Sequence, residues 1–387
     1  MIAAGLMCGT SLDGIDVALL ELRPLRTGYA WSPMALDTVP LTEDLAQRLR
    51  EAVPPTQLPV ARAARLDAAV GAAFGDAAVH VARGRRIDFV ASHGVTLYHE
   101  GNAHVTWQIG DPFAIRERCG ATVLCDFRRA DCAAGGHGAP LVPYVDALLF
   151  ASPERFRAAL NLGGIANVTL IPAGATPPDV VAWDVGPGNM LLDGFVSRKT
   201  HGQERYDAGG AYAGRGRVND DVLESLLADG YLAQRPPKSA GREQFGEAFL
   251  DAHAPTVGAL SLEDGCATLT AFTAQAVADA IRSAGMESGD VIVSGGGVHN
   301  RALTHGLADR LGGMEVRTSA DFGVDPDFKE AIAFAILGYE LLREHAAGLP
   351  AVTGARDARL LGAIAPLGLR GLLQRVDEEV AQSTTER

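Results

Sequence analysis

Residues 5–16 read GLMCGTSLDGID, and residues 161–171 read NLGGIANVTLI. Each has a polar strand end, a glycine turn and then an alternating strand with small or polar residues on one side, which is a hairpin pattern. The echo predicts two related halves, one beginning at Met1 and the other near Phe156. A plain hairpin needs one glycine and one polar residue, whereas the first stretch carries Gly5, Gly9, Gly14, Asp13 and Asp16. Gly9, Thr10 and Ser11 offer backbone N–H groups and two hydroxyls to an anion. Asp13 and Asp16 make poor phosphate ligands unless a cation intervenes, and Mg²⁺ takes a few carboxylate or water oxygens together with phosphates. A nucleotide–Mg²⁺ site accounts for both features. An Asp-Gly turn without function is the plain alternative.

Outward from these hairpins, apolar runs of strand length end in glycine and are expected to lead into helices. IDFVAS (87–92) precedes His93-Gly94, VVAWD (180–184) precedes Val185-Gly186-Pro187-Gly188, and DVIVS (290–294) precedes Gly295-Gly296-Gly297. The succession is an α/β signature, and in such sheets ligands gather at the carboxyl ends of strands. Asp184 ends a buried-looking strand, and Gly186-Pro187-Gly188-Asn189 opens a helix whose first N–H groups are expected to face a ligand beyond the sheet. An aspartate so placed is a candidate general base; helix capping is the competing role. The triple glycine followed by Asn300 would let a flat group such as adenine lie against bare backbone. Helical apolar spacing is expected over 60–84 and 268–285, with Ser261 and Asp264 as a capping box. DFRRADCAAGGHGAP (126–140) suits a crossover between lobes, and the closing DEEVAQSTTER is expected to fray.

Composition excludes several classes. The chain has 387 residues, 47% of them hydrophobic, which is enough for two cored domains. With 47 acidic against 34 basic side chains the net charge is −13, a poor footprint for nucleic acid. No secretory leader and no apolar run of about eighteen residues is evident, so no membrane partner is expected. Five cysteines without a C-x-x-C pair suggest neither a disulfide scaffold nor a zinc site, and the cytoplasm is the default compartment. No P-loop or G-x-S-x-G elbow occurs. His93, His99 and His104 are spaced by six and five, unlike zinc patterns, and read as loop or substrate contacts. Glu330 opens an apolar helix, either as a dipole-stabilising acid or as a ligand contact.

Together with ASHG (91–94), TWQIGDP (106–112), DFRRADCAAGGHGAPLVP (126–143), WDVGPGNMLLD (183–193), SGGGVHN (294–300), KEAIAFA (329–335) and LPAVTGA (349–355), these stretches closely resemble the anhydro-N-acetylmuramic acid kinases. That family belongs to the actin–hexokinase–Hsp70 ATPase superfamily. The resemblance implies a two-lobed actin-like ATPase fold, ribonuclease H-like, with a duplicated core and an interlobe ATP cleft. Lobe I would be 1–130 with the return of 345–387, and lobe II 131–344. It also implies ATP and Mg²⁺, a homodimer, and phosphorylation of 1,6-anhydro-N-acetylmuramic acid with opening of its anhydro bridge. By that resemblance Gly9, Thr10, Ser11, Leu12, Asp13, Gly14, Ile15 and Asp16 hold the ATP phosphates, with Asp13 and Asp16 toward the metal. Gly163, Gly164, Gly186, Gly188, Asn189, Gly295, Gly296, Gly297 and Asn300 border the nucleotide, and Asp184 is the catalytic base. His93, Gln108, Arg128, Asp131 and Glu330 lie in motifs of the sugar side or cleft. Cys8 replaces the family's usual serine, Val185 its usual threonine, and Met7 a metal-facing aspartate of the wider superfamily. Another amino-sugar or hexose kinase, or an ATP-gated assembly module, would share the phosphate loops.

Overall fold

The computed structural model describes residues 1–9, 12–25, 29–52, 57–236 and 238–385. The chain forms two compact units, Met1–Leu148 with Phe328–Arg387, and Leu149–Asp327.

In the first unit, β1 (Ile2–Met7), β2 (Gly14–Pro24) and β3 (Tyr29–Pro40) form an antiparallel meander, with Met7 opposite Asp16. β4 (Phe89–Ser92) pairs parallel to β1 on its other side, and β7 (Thr122–Cys125) parallel to β4. β5 (Val95–Glu100) and β6 (Val105–Ile109) make a separate hairpin, where a helix was expected to follow Gly94. Across this hairpin Gln108 reaches Thr96 and His99 reaches Thr106, and Gln108 also bonds Thr106 along its own strand. In the second unit, β8 (Arg157–Leu162), β9 (Ile165–Ile171) and β10 (Val181–Pro187) form the same meander. β11 (Gly289–Ser294) pairs parallel to β8, and β12 (Met314–Thr318) parallel to β11. Numbered within each unit, both sheets run 3-2-1-4-5 with the same pattern of parallel and antiparallel pairs, and β13 (Ala363–Ala365) extends the first sheet beyond β7. The duplicated core expected from the two hairpins is therefore present, in the ribonuclease H-like form that the resemblance implied.

Each sheet buries an apolar face under helices. The helix Val60–Ala82 presents Leu66, Val70, Phe74, Ala78 and Val81, a stripe at helical spacing, to the core containing Leu6, Val17 and Val90. The helix Leu262–Ser283, capped by Ser261 Oγ accepting from Asp264 N–H at 3.0 Å, sends Val277 and Ile281 against Leu160, Val168 and Val291. The helix Lys329–Leu342 is apolar around most of its girth and runs behind β1. A Cβ on Gly5 would stand 1.9 Å from the carbonyl oxygen of Ala331. Gly5→Ala should therefore lower stability by on the order of 3 kcal/mol through overpacking. Urea unfolding measures this, and an unchanged midpoint would show that strand and helix part without cost.

Residues 126–140, expected to be a crossover, are folded into the first unit. The N–H of His137 donates to Thr353 O at 2.8 Å, and that of Arg356 to Ala134 O at 3.0 Å. The closing segment, expected to fray, is helical through Thr385, and its Glu379 accepts from Tyr339 Oη at 3.0 Å. No helix among the described residues is long and apolar enough to cross a membrane.

Candidate active-site elements

In the first unit the turn between β1 and β2 is tight: Leu12 has φ +54° and its N–H donates to Gly9 O at 3.2 Å. Thr10 and Ser11 lie outside the described residues. Asp13 is exposed, whereas Asp16 is half-buried and its Oδ1 accepts from Thr38 Oγ1 at 2.7 Å. Gly14 and Ile15, the first residues of β2, are buried. Cys8 is buried, and its thiol is pushed up to about 12 by burial and then by Asp13 and Asp16. It stays protonated and unreactive at neutral pH.

A second cluster of this unit surrounds Arg128. Its Nε donates to His93 Nε2 at 2.9 Å and its Nη1 to Gly138 O at 3.0 Å. His93 Nε2 is thus an acceptor, which leaves the proton on Nδ1 to donate to Gly94 O at 3.0 Å. Burial and then the guanidinium hold this imidazole neutral, well below its usual pKa. His93 therefore orients Arg128. His99 is likewise lowered to about 4, by burial and then by Arg128 and His137. Gln108 Nε2 donates to Thr106 Oγ1 at 2.8 Å and Thr96 Oγ1 at 3.2 Å, while its buried Oε1 has no hydrogen-bond partner among the described residues. Glu330, in the first turn of its helix, has its pKa raised by burial against the opposing pull of Lys329 and Arg128.

Asp131 departs from the sugar-side role expected of it. It is 1% exposed, with Oδ2 accepting from Gly138 N–H at 2.8 Å and Oδ1 from Thr353 Oγ1 at 2.7 Å. Both oxygens are occupied in holding the glycine loop to the 349–355 segment, so Asp131 clamps the fold.

In the second unit, the two glycine turns close on each other. The N–H groups of Gly188 and Met190 donate to Gly164 O at 2.9 and 3.1 Å, and that of Asn189 to Gly163 O at 2.8 Å. A Cβ on Gly188 would stand 2.2 Å from Gly163 O, so only glycine permits the approach. The first amide of the helix Met190–Lys199, that of Met190, and the two before it thus meet backbone carbonyls, where a ligand was expected. Gly295, at φ +80°, and Gly297 pack on the end of β8, where added Cβ atoms would meet Asn161 Oδ1 at 2.6 Å and Leu162 Cβ at 2.5 Å. Gly296 alone is exposed, with open space where a Cβ would stand. Asn300 is 6% exposed and its Oδ1 accepts from Leu303 N–H at 3.0 Å. Its side chain caps the helix Arg301–Arg310, which occupies the oxygen expected to border the nucleotide.

Asp184 is half-buried on β10, at a bulge between Asp184 and Gly186. Gly186 beyond the bulge is buried. Asp184 Oδ2 accepts from Ala240 N–H at 2.9 Å, and its carbonyl accepts from Tyr231 Oη at 2.8 Å. It is not a helix cap; Asn189 occupies that position. Asp193, one helix turn past Asn189, has its carboxyl pushed up to about 7 by burial and then by Asp207. The 231–240 anchors were not singled out from sequence, although RPPKSAGRE (235–243), rich in proline, serine and glycine, marks a loop there.

Among the described residues no group of three or more His, Cys, Asp or Glu side chains could enclose a metal. The exposed Asp13 and half-buried Asp16 fit instead an ion that keeps waters and phosphate oxygens in its shell, as Mg²⁺ does.

Residues 1–367 match the family model described as anhydro-N-acetylmuramic acid kinase. Curated proteins of that name are similar along almost the whole chain. That of Xanthomonas oryzae is 43% identical over 380 residues, covering 94% of this chain and 96% of its own. That of Streptomyces coelicolor is 40% identical, covering 94% and 93%. That of Caldanaerobacter subterraneus is 36% identical, covering 94% and 96%. With the duplicated core and the motifs in the same order, the chain belongs to the anhydro-N-acetylmuramic acid kinase family and is a kinase.

Proposed function

We propose that the chain uses ATP and water to convert 1,6-anhydro-N-acetylmuramic acid to N-acetylmuramic acid 6-phosphate and ADP, a step of cell-wall recycling. The observation that carries this proposal is the family match over residues 1–367, which includes the strand that holds Asp184. Asp184 takes a proton from a water whose oxygen bonds to the anomeric carbon. The bond from that carbon to the bridge oxygen breaks, and the oxygen, still on C6, receives the γ-phosphoryl group as ADP leaves. A glycosidase protonates its leaving oxygen with an acid; phosphoryl capture takes that part. A free aspartate has a pKa of about 3.9 and is a weak base, so fixed geometry and developing oxocarbenium charge must supply the drive.

The 9–16 turn holds the phosphates, and Asp13 and Asp16 hold Mg²⁺, which when bound offsets charge on the transferring group. Gly296 offers bare backbone to the nucleotide. Gln108 Oε1, buried and unsatisfied, accepts a hydrogen bond from a sugar N–H or O–H. Arg128, oriented by His93, supplies a fixed cation on the sugar side, and Glu330 a carboxyl there.

Mass spectrometry of the product tests the chemistry. Ring opening adds one phosphoryl group and one water, with ¹⁸O from labelled water on the anomeric carbon under rapid quench. A product heavier by the phosphoryl group alone, its bridge intact, would make this an ordinary sugar kinase.

A further inference from the structure

We propose that Lys238 and Tyr231 are positioning residues for Asp184, fixing its backbone and carboxylate in place for proton abstraction. The inference rests on the reading of Asp184 as the base.

β10 is the edge strand of its sheet, so one side of Asp184 has no neighbouring strand to fix it. Tyr231, Lys238 and Ala240 cover that edge at this residue. Tyr231 Oη donates to Asp184 O at 2.8 Å, Asp184 N–H donates to Lys238 O at 3.3 Å, and Ala240 N–H reaches Oδ2 at 2.9 Å. The backbone is gripped on both its polar groups and the carboxylate on one oxygen, beside a bulge that otherwise loosens the strand.

Lys238 binds this grip together. Its Nζ donates to Tyr231 O at 3.0 Å and Leu232 O at 3.3 Å, and lies 4.4 Å from the centroid of the Tyr231 ring. Tyr231 is 5% exposed, its N–H donates to Asp229 Oδ1 at 2.8 Å, and its ring packs edge-on against Phe245 at 5.4 Å. The ammonium thus stands on a rigid support. Its pKa is lowered by burial and raised by Asp184, so the two charges sense each other. The Tyr231 phenol beside it is kept protonated by burial and then by Asp184 and Glu243.

Full-length Lys238→Met, Lys238→Arg and Tyr231→Phe variants test the inference by kcat and KM with ATP and the anhydro sugar. Lys238→Met should lower kcat by about 10-fold and leave the KM for ATP unchanged, and Lys238→Arg should restore most of the lost kcat. Tyr231→Phe, which changes only the hydroxyl, should lower kcat by about 5-fold. A Lys238→Met enzyme with the wild-type kcat overturns the proposal, as does a lost kcat that arginine does not restore. Should Lys238→Met fail to fold, a wild-type kcat in Tyr231→Phe overturns it equally. Asp184→Asn assayed alongside separates the two levels: activity there defeats the base itself, whereas a dead Asp184→Asn with a wild-type kcat in Lys238→Met defeats only the positioning.

Discussion

Asp184→Asn is expected to lower kcat by about 10³-fold or more while leaving nucleotide affinity essentially unchanged. Asparagine matches aspartate in size, and its amide oxygen can still accept the Ala240 N–H that now reaches Oδ2 at 2.9 Å. The backbone bonds to Lys238 O and from Tyr231 Oη do not involve the side chain's charge and survive. What the variant loses is the capacity to take a proton. Sugar-dependent ADP release measures the first effect and calorimetric titration with a non-hydrolysable nucleotide the second; unfolding temperature controls for the fold. Activity close to wild type would remove Asp184 from the chemistry and with it the route by which water attacks the anomeric carbon.

The parts of this molecule that sequence makes legible are those whose cause is local. GLMCGTSLDGID and NLGGIANVTLI each place a glycine turn beside an alternating strand, and the two meanders begin there. The same alternation is present in VTLYHE and VTWQI, yet a helix was expected after Gly94 because glycine at a strand end suggested the usual α/β step. The hairpin wins because Thr96, His99, Thr106 and Gln108 hydrogen-bond across it, a pairing between strands that no linear pattern reports. Partners distant in sequence decide the other departures too. Asp131 and Thr353 are 222 positions apart, and their bond turns a candidate ligand into a clamp. Gly163 and Gly164 answer the amides of residues 188–190, which by themselves look like an anion site. The fingers that hold Asp184 come from positions 47 and 56 residues away.

Lys329→Met should cost about 3–5 kcal/mol of stability, the range for removing one partner of a buried ion pair. Lys329 Nζ lies 3.1 Å from Asp146 Oδ1, and the two side chains are 3% and 4% exposed. Methionine keeps much of the lysine stem's volume, so the loss reports the charge more than a cavity; the buried Asp146 carboxylate is left without its ammonium. The double variant Lys329→Met/Asp146→Leu should recover most of the loss, because desolvating two charges offsets much of what their attraction returns. Urea unfolding of both single variants and the double gives the coupling directly. The same substitution bears on the sugar side. Lys329 opposes the burial that raises the Glu330 carboxyl, so its removal should push that group further up and weaken the ionised form. A fall in stability with sugar KM unchanged would separate the two roles and leave Lys329 purely structural. If Lys329→Met unfolds at the wild-type midpoint, packing around Ile332 and Phe334 alone holds the start of that helix, and the ion pair contributes nothing measurable.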